Sequence, residues 1–171
     1  MMVVNVVLST WNQLPEENAV LEILPCNGST RWAQQLAAAR PFADRQTLFD
    51  RSNTVWLNLD PADWEEAFCS HPRIGEHKIP ATQQAATWSK QEQAGVNFFD
   101  TNLLTKLEQA NRLYEQRFGR IFLVCATGKS AAEILAILEH RLGNDPQTEL
   151  REAVEQQRQI TQLRLRKWLQ E

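Results

Sequence analysis

Apolar side chains recur every three to four residues through most of this chain, and the residues that break helices are scarce. The stretch 44–59 places Leu48, Phe49, Val55, Trp56 and Leu59 on one stripe of a 3.6-residue period. Asp60 and Pro61 then restart a helix as N-cap and first-turn residue, with Trp64, Ala67 and Phe68 facing inward. Leu103, Leu104, Leu107, Ala110, Tyr114 and Phe118 mark a long helix that Gly119 closes. Ser130 and Glu133 form a capping-box pattern ahead of Ile134, Leu135, Leu138 and Leu142, and Gly143 marks the stop. Further helices are predicted from about Gln147 to the C-terminus and over Ser29–Ala39. Six glycines and seven prolines in 171 residues are few beside the roughly 12% of an average protein, which favours long helices over many short strands. The expectation is an all-α fold: a single compact domain, residues 1–171, of about seven to nine helices. A chain of this length buries enough surface to fold without disulfide or metal staples.

One segment breaks the pattern. Ile121 to Ala126 is a continuous apolar run too short to be a helix of its own, and it is predicted to be an extended stretch threaded among helices. Thr127, Gly128, Lys129 and Ser130 follow it and resemble the end of a phosphate-binding loop. That loop needs a glycine five residues before Gly128, where this chain has Leu123, so its amides cannot wrap a phosphate. Ser130 is better explained as a helix cap.

The formal charge of −3 and the pI of about 5.7 offer no general electrostatic grip on nucleic acid or an anionic membrane. No apolar run approaches the ~20 residues that span a bilayer, and Met1 to Leu8 lack the basic start and long apolar stretch of a signal peptide. Cys26, Cys69 and Cys125 are odd in number, form no Cys-x-x-Cys pair and sit among apolar neighbours. They read as buried, reduced thiols of a soluble cytoplasmic protein.

Three constellations can carry chemistry. The proline at 72 pushes His71 out of the helical region, so this imidazole sits at a rigid helix-to-loop junction. It either caps the helix carboxyl end or serves a reaction. His77 lies six residues on, but the two lack the spacing of a zinc pair on one helix. Ser89, Glu92 and Gln93 fit a capping box at a helix start, and the same groups suit a polar, amide-rich ligand. On the last helix Ala153, Val154, Ile160, Leu163, Leu165 and Trp168 share one face, with Arg164 inside it and Gln157 nearby. A guanidinium aimed at a core needs an anion, either a buried carboxylate of the protein or one on a substrate.

Together these motifs resemble one family. The run His71-Pro72-Arg73-Ile74-Gly75, the sequence Arg40-Pro41-Phe42, the Ser89, Glu92 and Gln93 cluster, Phe118-Gly119 with its apolar run, and Ile160 to Leu165 are similar to OHCU decarboxylase. The resemblance covers about Arg31 to the C-terminus, with the motifs in the family's order. It implies decarboxylation of 2-oxo-4-hydroxy-4-carboxy-5-ureidoimidazoline to (S)-allantoin and carbon dioxide in urate breakdown. It also implies an all-helical enzyme with no cofactor and no metal, usually a homodimer, taking a small-molecule substrate. Carried over by position, His71 matches the essential histidine and Glu92 a second catalytic group. Pro72, Ser89, Gln93, the segment Phe122, Leu123, Val124, Cys125 and Ala126, and Arg164 match the substrate-binding residues. Another cofactor-free enzyme of purine or ureide metabolism, or a helical interaction module, are the alternatives these residues leave open.

Overall fold

The computed structural model describes residues 5–74, 83–94, 96 and 100–170. Among these the chain forms nine α-helices, one 3-10 turn and no strand, which is the all-α architecture the periodicity predicts. It divides into two compact units, Met1–Ala67 with Arg158–Glu171, and Phe68–Gln157. Among the described residues no helix is long and apolar enough to cross a membrane.

The first unit contains α1 (Val6–Gln13), α2 (Glu16–Ile23), the 3-10 turn Leu24–Cys26, α3 (Thr30–Ala38), α4 (Arg45–Leu57) and most of α5 (Pro61–Cys69). Local chemistry sets the helix starts. The side chains of Asn5, Ser29 and Asp44 each accept an N–H of the first turn, and Asp44 with Thr47 completes a reciprocal box. Tryptophans fill the centre. Trp11 is fully buried, meets the Trp168 ring edge-on at 5.5 Å and donates its indole N–H to the Ala19 carbonyl at 2.9 Å. Trp32 likewise donates to Ser52 O at 3.3 Å, so each large ring is buried with its one polar atom satisfied. The Arg40 guanidinium lies 5.1 Å over the Trp11 ring and donates to the carbonyls of Trp11, Leu14 and Ala37.

The second unit holds α6 (Gln83–Glu92), α7 (Thr101–Phe118), α8 (Ala131–Arg141) and the first half of α9 (Pro146–Trp168). Gly119 ends α7 in the left-handed conformation at φ +70°, with its N–H on the Glu115 carbonyl at 2.8 Å. The predicted box at Ser130 and Glu133 is present and starts α8. Leu107, Ala110 and Tyr114 of α7 and Ile134, Leu135 and Leu138 of α8 share a core with Phe122, Val124 and Ala126. Burying each large apolar side chain there contributes about 1.5–3 kcal/mol.

Residues 121–126 are neither helix nor strand, and Phe122 to Ala126 are all buried. Every second residue of the run joins the core, while Leu123 and Cys125 are buried outside it, which is why the run is apolar without alternation. With no sheet ladder, side chains satisfy its backbone. Arg141 Nη1 donates to Leu123 O at 2.7 Å, Cys125 N donates to Gln156 Oε1 at 2.8 Å, and Lys129 Nζ donates to Cys125 O at 2.8 Å. Lys129 thus serves the segment's own backbone and Ser130 caps a helix, in line with the rejection of a phosphate loop.

Some expectations need correction. Cys69 is exposed, whereas Cys26 and Cys125 are buried; all three are free thiols. Cys69 follows Phe68 by one position, a 100° turn that carries it off the buried stripe of Ala67 and Phe68. Trp64 and Leu163 are half-buried rather than buried.

Candidate active site

His71 follows α5, and its N–H closes the last turn onto Phe68 O at 3.2 Å. Pro72 ends the helix there, and the next residues are tied down. Arg73 forms a two-pronged ion pair with Glu115 of α7, and Ile74 packs against the core of the second unit. A loop anchored on both sides of a proline holds the imidazole still. The ring is 5% exposed, and its Nε2 lies 2.7 Å from Oε1 of Gln157, itself fully buried on α9. The ring stands at the helix-to-loop junction the sequence predicts and is more enclosed than a junction residue need be.

Ser89 and Glu92 are buried, and Gln93 is half-buried. Their helix context is the reverse of the capping-box expectation. They occupy the last turn of α6 and the residue after it, and Gln93 N bonds back to Ser89 O at 3.2 Å. The physical reason is upstream. Gln83 to Trp88 are already helical, so Ser89 is not at a free amino end, and a serine three residues before a glutamate also occurs inside helices. A carboxylate at a helix C-terminus is disfavoured by the macrodipole, so the cap explanation for Glu92 falls away.

His71, Pro72, Ser89, Glu92, Gln93 and Phe122–Ala126 all belong to the second unit, and Arg164 belongs to the first. Arg164 is 2% exposed and donates from Nη1 to the Pro25 carbonyl at 3.1 Å. Burial pushes the neighbouring Cys26 thiol far up, against the opposing charge of Arg164, so Cys26 is an inert thiol. Two clefts in the second unit, of about 320 and 530 Å³, are lined around Arg73, Asn111 and Glu115 and around His140, Asn144 and Glu152; His71 lines neither. Gly75, His77 and Gly95 lie outside the described residues. Among those described, no three His, Cys, Asp or Glu side chains gather to form a metal site.

A family model described as OHCU decarboxylase matches residues 12–166. The chain belongs to the OHCU decarboxylase family. The uric acid degradation bifunctional protein TTL of Arabidopsis thaliana is 33% identical over 145 residues, 83% of this chain but only 44% of that protein. The 2-oxo-4-hydroxy-4-carboxy-5-ureidoimidazoline decarboxylase of Amia calva is 30% identical over 152 residues, covering 88% of this chain and 84% of that enzyme. A crystal structure of OHCU decarboxylase in the presence of (S)-allantoin is similar at a TM-score of 0.74 and 32% identity, covering 88% of this chain and 98% of that one. The crystal structure of (S)-allantoin synthase shares the fold at a TM-score of 0.70 and 16% identity.

For this family member, two features escaped the sequence reading. One is the contacts of two neighbouring glutamines, Gln156 with the Cys125 N–H and Gln157, already placed near Arg164, with His71. The other is the buried Arg141–Glu149 pair, whose Glu149 also accepts from the Tyr114 hydroxyl at 2.5 Å and from Asn144 at 2.9 Å. A signal for both was present. Glu149, Ala153, Gln157 and Thr161 recur at four-residue spacing and are all buried, so polar residues on an apolar stripe mark where α9 needs partners.

Proposed function

We propose that this chain catalyses decarboxylation of 2-oxo-4-hydroxy-4-carboxy-5-ureidoimidazoline to (S)-allantoin and carbon dioxide, a step of urate degradation. The observation that carries the reading is the seating of His71: buried, fixed by Pro72 and bonded at 2.7 Å to Gln157, in a chain matched to the family over residues 12–166. When the C4–carboxylate bond breaks, its electron pair forms a C4=C5 bond and displaces the C5=N pair onto nitrogen, which takes a proton from water, so the substrate is its own electron sink. The protein has three tasks: to hold the carboxylate out of the ring plane, to take the 4-hydroxyl proton, and to place a proton on one face of C5.

In this reading His71 takes the hydroxyl proton, as an imidazole can near neutral pH. Glu92 orients His71 or relays the proton that sets the configuration. Pro72, Ser89, Gln93 and the backbone of Phe122–Ala126 bind the ureido and ring groups, and Arg164 holds the carboxylate. That residues 1–171 act as one domain, as a homodimer and in the cytoplasm belongs to the same proposal.

The test is carbon dioxide release from freshly prepared substrate, followed with circular dichroism of the product. Gas release with a single-handed allantoin signal is expected. Gas release at the uncatalysed rate, or a racemic product, refutes the reading. A ring-opening hydrolase or an isomerase would change the substrate without that gas, and an interaction module would change neither signal.

A further inference from the structure

We infer that Gln157 is a positioning residue that fixes His71 as its Nε2–H tautomer. The inference rests on the reading of His71 as the base. It starts from one contact, His71 Nε2 to Gln157 Oε1 at 2.7 Å, between side chains 5% and 0% exposed. A neutral imidazole has one N–H and one lone pair, and an amide oxygen only accepts. A contact of this length therefore requires the proton on Nε2, which leaves the lone pair on Nδ1. In a water-poor interior the bond is stronger than it would be in water, and an unmatched polar atom is costly, so the preference for one tautomer is firm.

The helix that supplies Gln157 also registers the rest of the candidate site. The preceding residue, Gln156, accepts the Cys125 N–H at 2.8 Å through Oε1 and donates its amide to Glu152 Oε1 at 3.0 Å. Consecutive residues of α9 thus hold the imidazole and the backbone of the 122–126 segment. Their separation is set by a single helical step instead of by two independent loops. A base and a binding segment tied to one rigid element keep their mutual geometry.

The experiment reads the ring directly. Nitrogen-15 NMR of His71 in the folded protein should show protonated Nε2 and unprotonated Nδ1 at a pH where the ring is neutral. Gln157→Met keeps the length and removes the acceptor. It should populate both tautomers and lower kcat by roughly ten- to a hundredfold, part of the about 10²–10⁴-fold that a positioned base contributes, with KM little changed. Gln157→Glu restores an acceptor and should restore the Nε2–H signature. A wild-type ring protonated on Nδ1, or a Gln157→Met variant with the wild-type tautomer and kcat, overturns the inference. If His71→Asn turns over normally, the reading of His71 as base fails, and the ring spectra still decide the role of Gln157 separately.

Discussion

Arg141 and Glu149 meet as a buried ion pair, Nη2 to Oε1 at 2.5 Å, with side chains 3% and 0% exposed. The pair connects the end of α8 to the start of α9. Through Arg141 Nη1 it also holds the Leu123 carbonyl, and the guanidinium lies 4.7 Å over the Phe122 ring. Each charge is matched and every side-chain nitrogen and oxygen of the pair has a partner, the condition under which a buried pair is tolerable.

Removing one partner strands the other charge. Glu149→Ala should lower stability by about 3–5 kcal/mol, measured by denaturant unfolding. The double variant Arg141→Met/Glu149→Met should lose less than the two single variants combined, because neither charge is then left alone. Additive losses would show that the two side chains act independently.

Tyr114 is the one tyrosine of the chain, so tyrosinate absorbance reports on it alone. Burial, and then its hydrogen bond to Glu149, push its phenol above the ordinary value of 10.0. The folded protein should show no tyrosinate at about pH 10–11, where the unfolded chain titrates. With the folded value above the unfolded one, this contribution to stability is complete below about pH 10 and declines as pH rises beyond it. Tyrosinate appearing near pH 10 while the fold is intact would contradict the buried bond.

Helix caps give the opposite slope. Backbone and hydroxyl hydrogen bonds hold the carboxyls of Asp44 at Thr47 and Glu133 at Ser130 below their ordinary values, and bonds to Thr148 do the same for Asp145. Their folded values lie below the unfolded ones, so the stability they add is present above the unfolded carboxylate range and is lost as pH falls through the folded values. Carbon-detected NMR titration of the three carboxyls should show the lowered midpoints. Ser130→Ala should cost about 1 kcal/mol and return Glu133 toward its ordinary value.

Activity and stability should separate at the proposed site. His71→Asn is expected to fold, with a helical circular dichroism spectrum like the wild type, and to lose most of the stereospecific conversion. Glu92→Gln should cost rate but not stability, since it removes a carboxylate from the C-terminal turn of α6, where the dipole disfavours it. A Glu92→Gln variant less stable but equally fast would make Glu92 a packing residue.

Arg164→Lys keeps the charge and loses the planar fork. If Arg164 holds the substrate carboxylate, KM rises while the melting temperature moves little. An unchanged KM with a lower melting temperature assigns Arg164 to the Pro25 carbonyl and its buried surroundings.

Much of the fold was legible because it is local. The cap at Ser130, the stop at Gly119, the restart at Asp60–Pro61 and the break at Pro72 depend on residues within one helical turn of each other. The buried stripes of α4 and α7 follow from their own periodicity. Even the non-helical run at 121–126 announced itself by length and composition. The direction of the 89–92 motif was not legible, because a serine–glutamate spacing of three marks a helix start only when the residues before it are not helical.

What the sequence by itself determined is the course of α4, α5, α7, α8 and α9 and that a histidine stands at a break after one of them. What only the tertiary structure decided is which buried polar groups meet. His71 finds Gln157 across 86 positions of chain, Leu123 finds Arg141, and Tyr114 finds Glu149. A helix's propensity is set by neighbours along the chain, but the partner of a buried donor depends on which faces pack together. Only the folded chain places an amide oxygen against the imidazole.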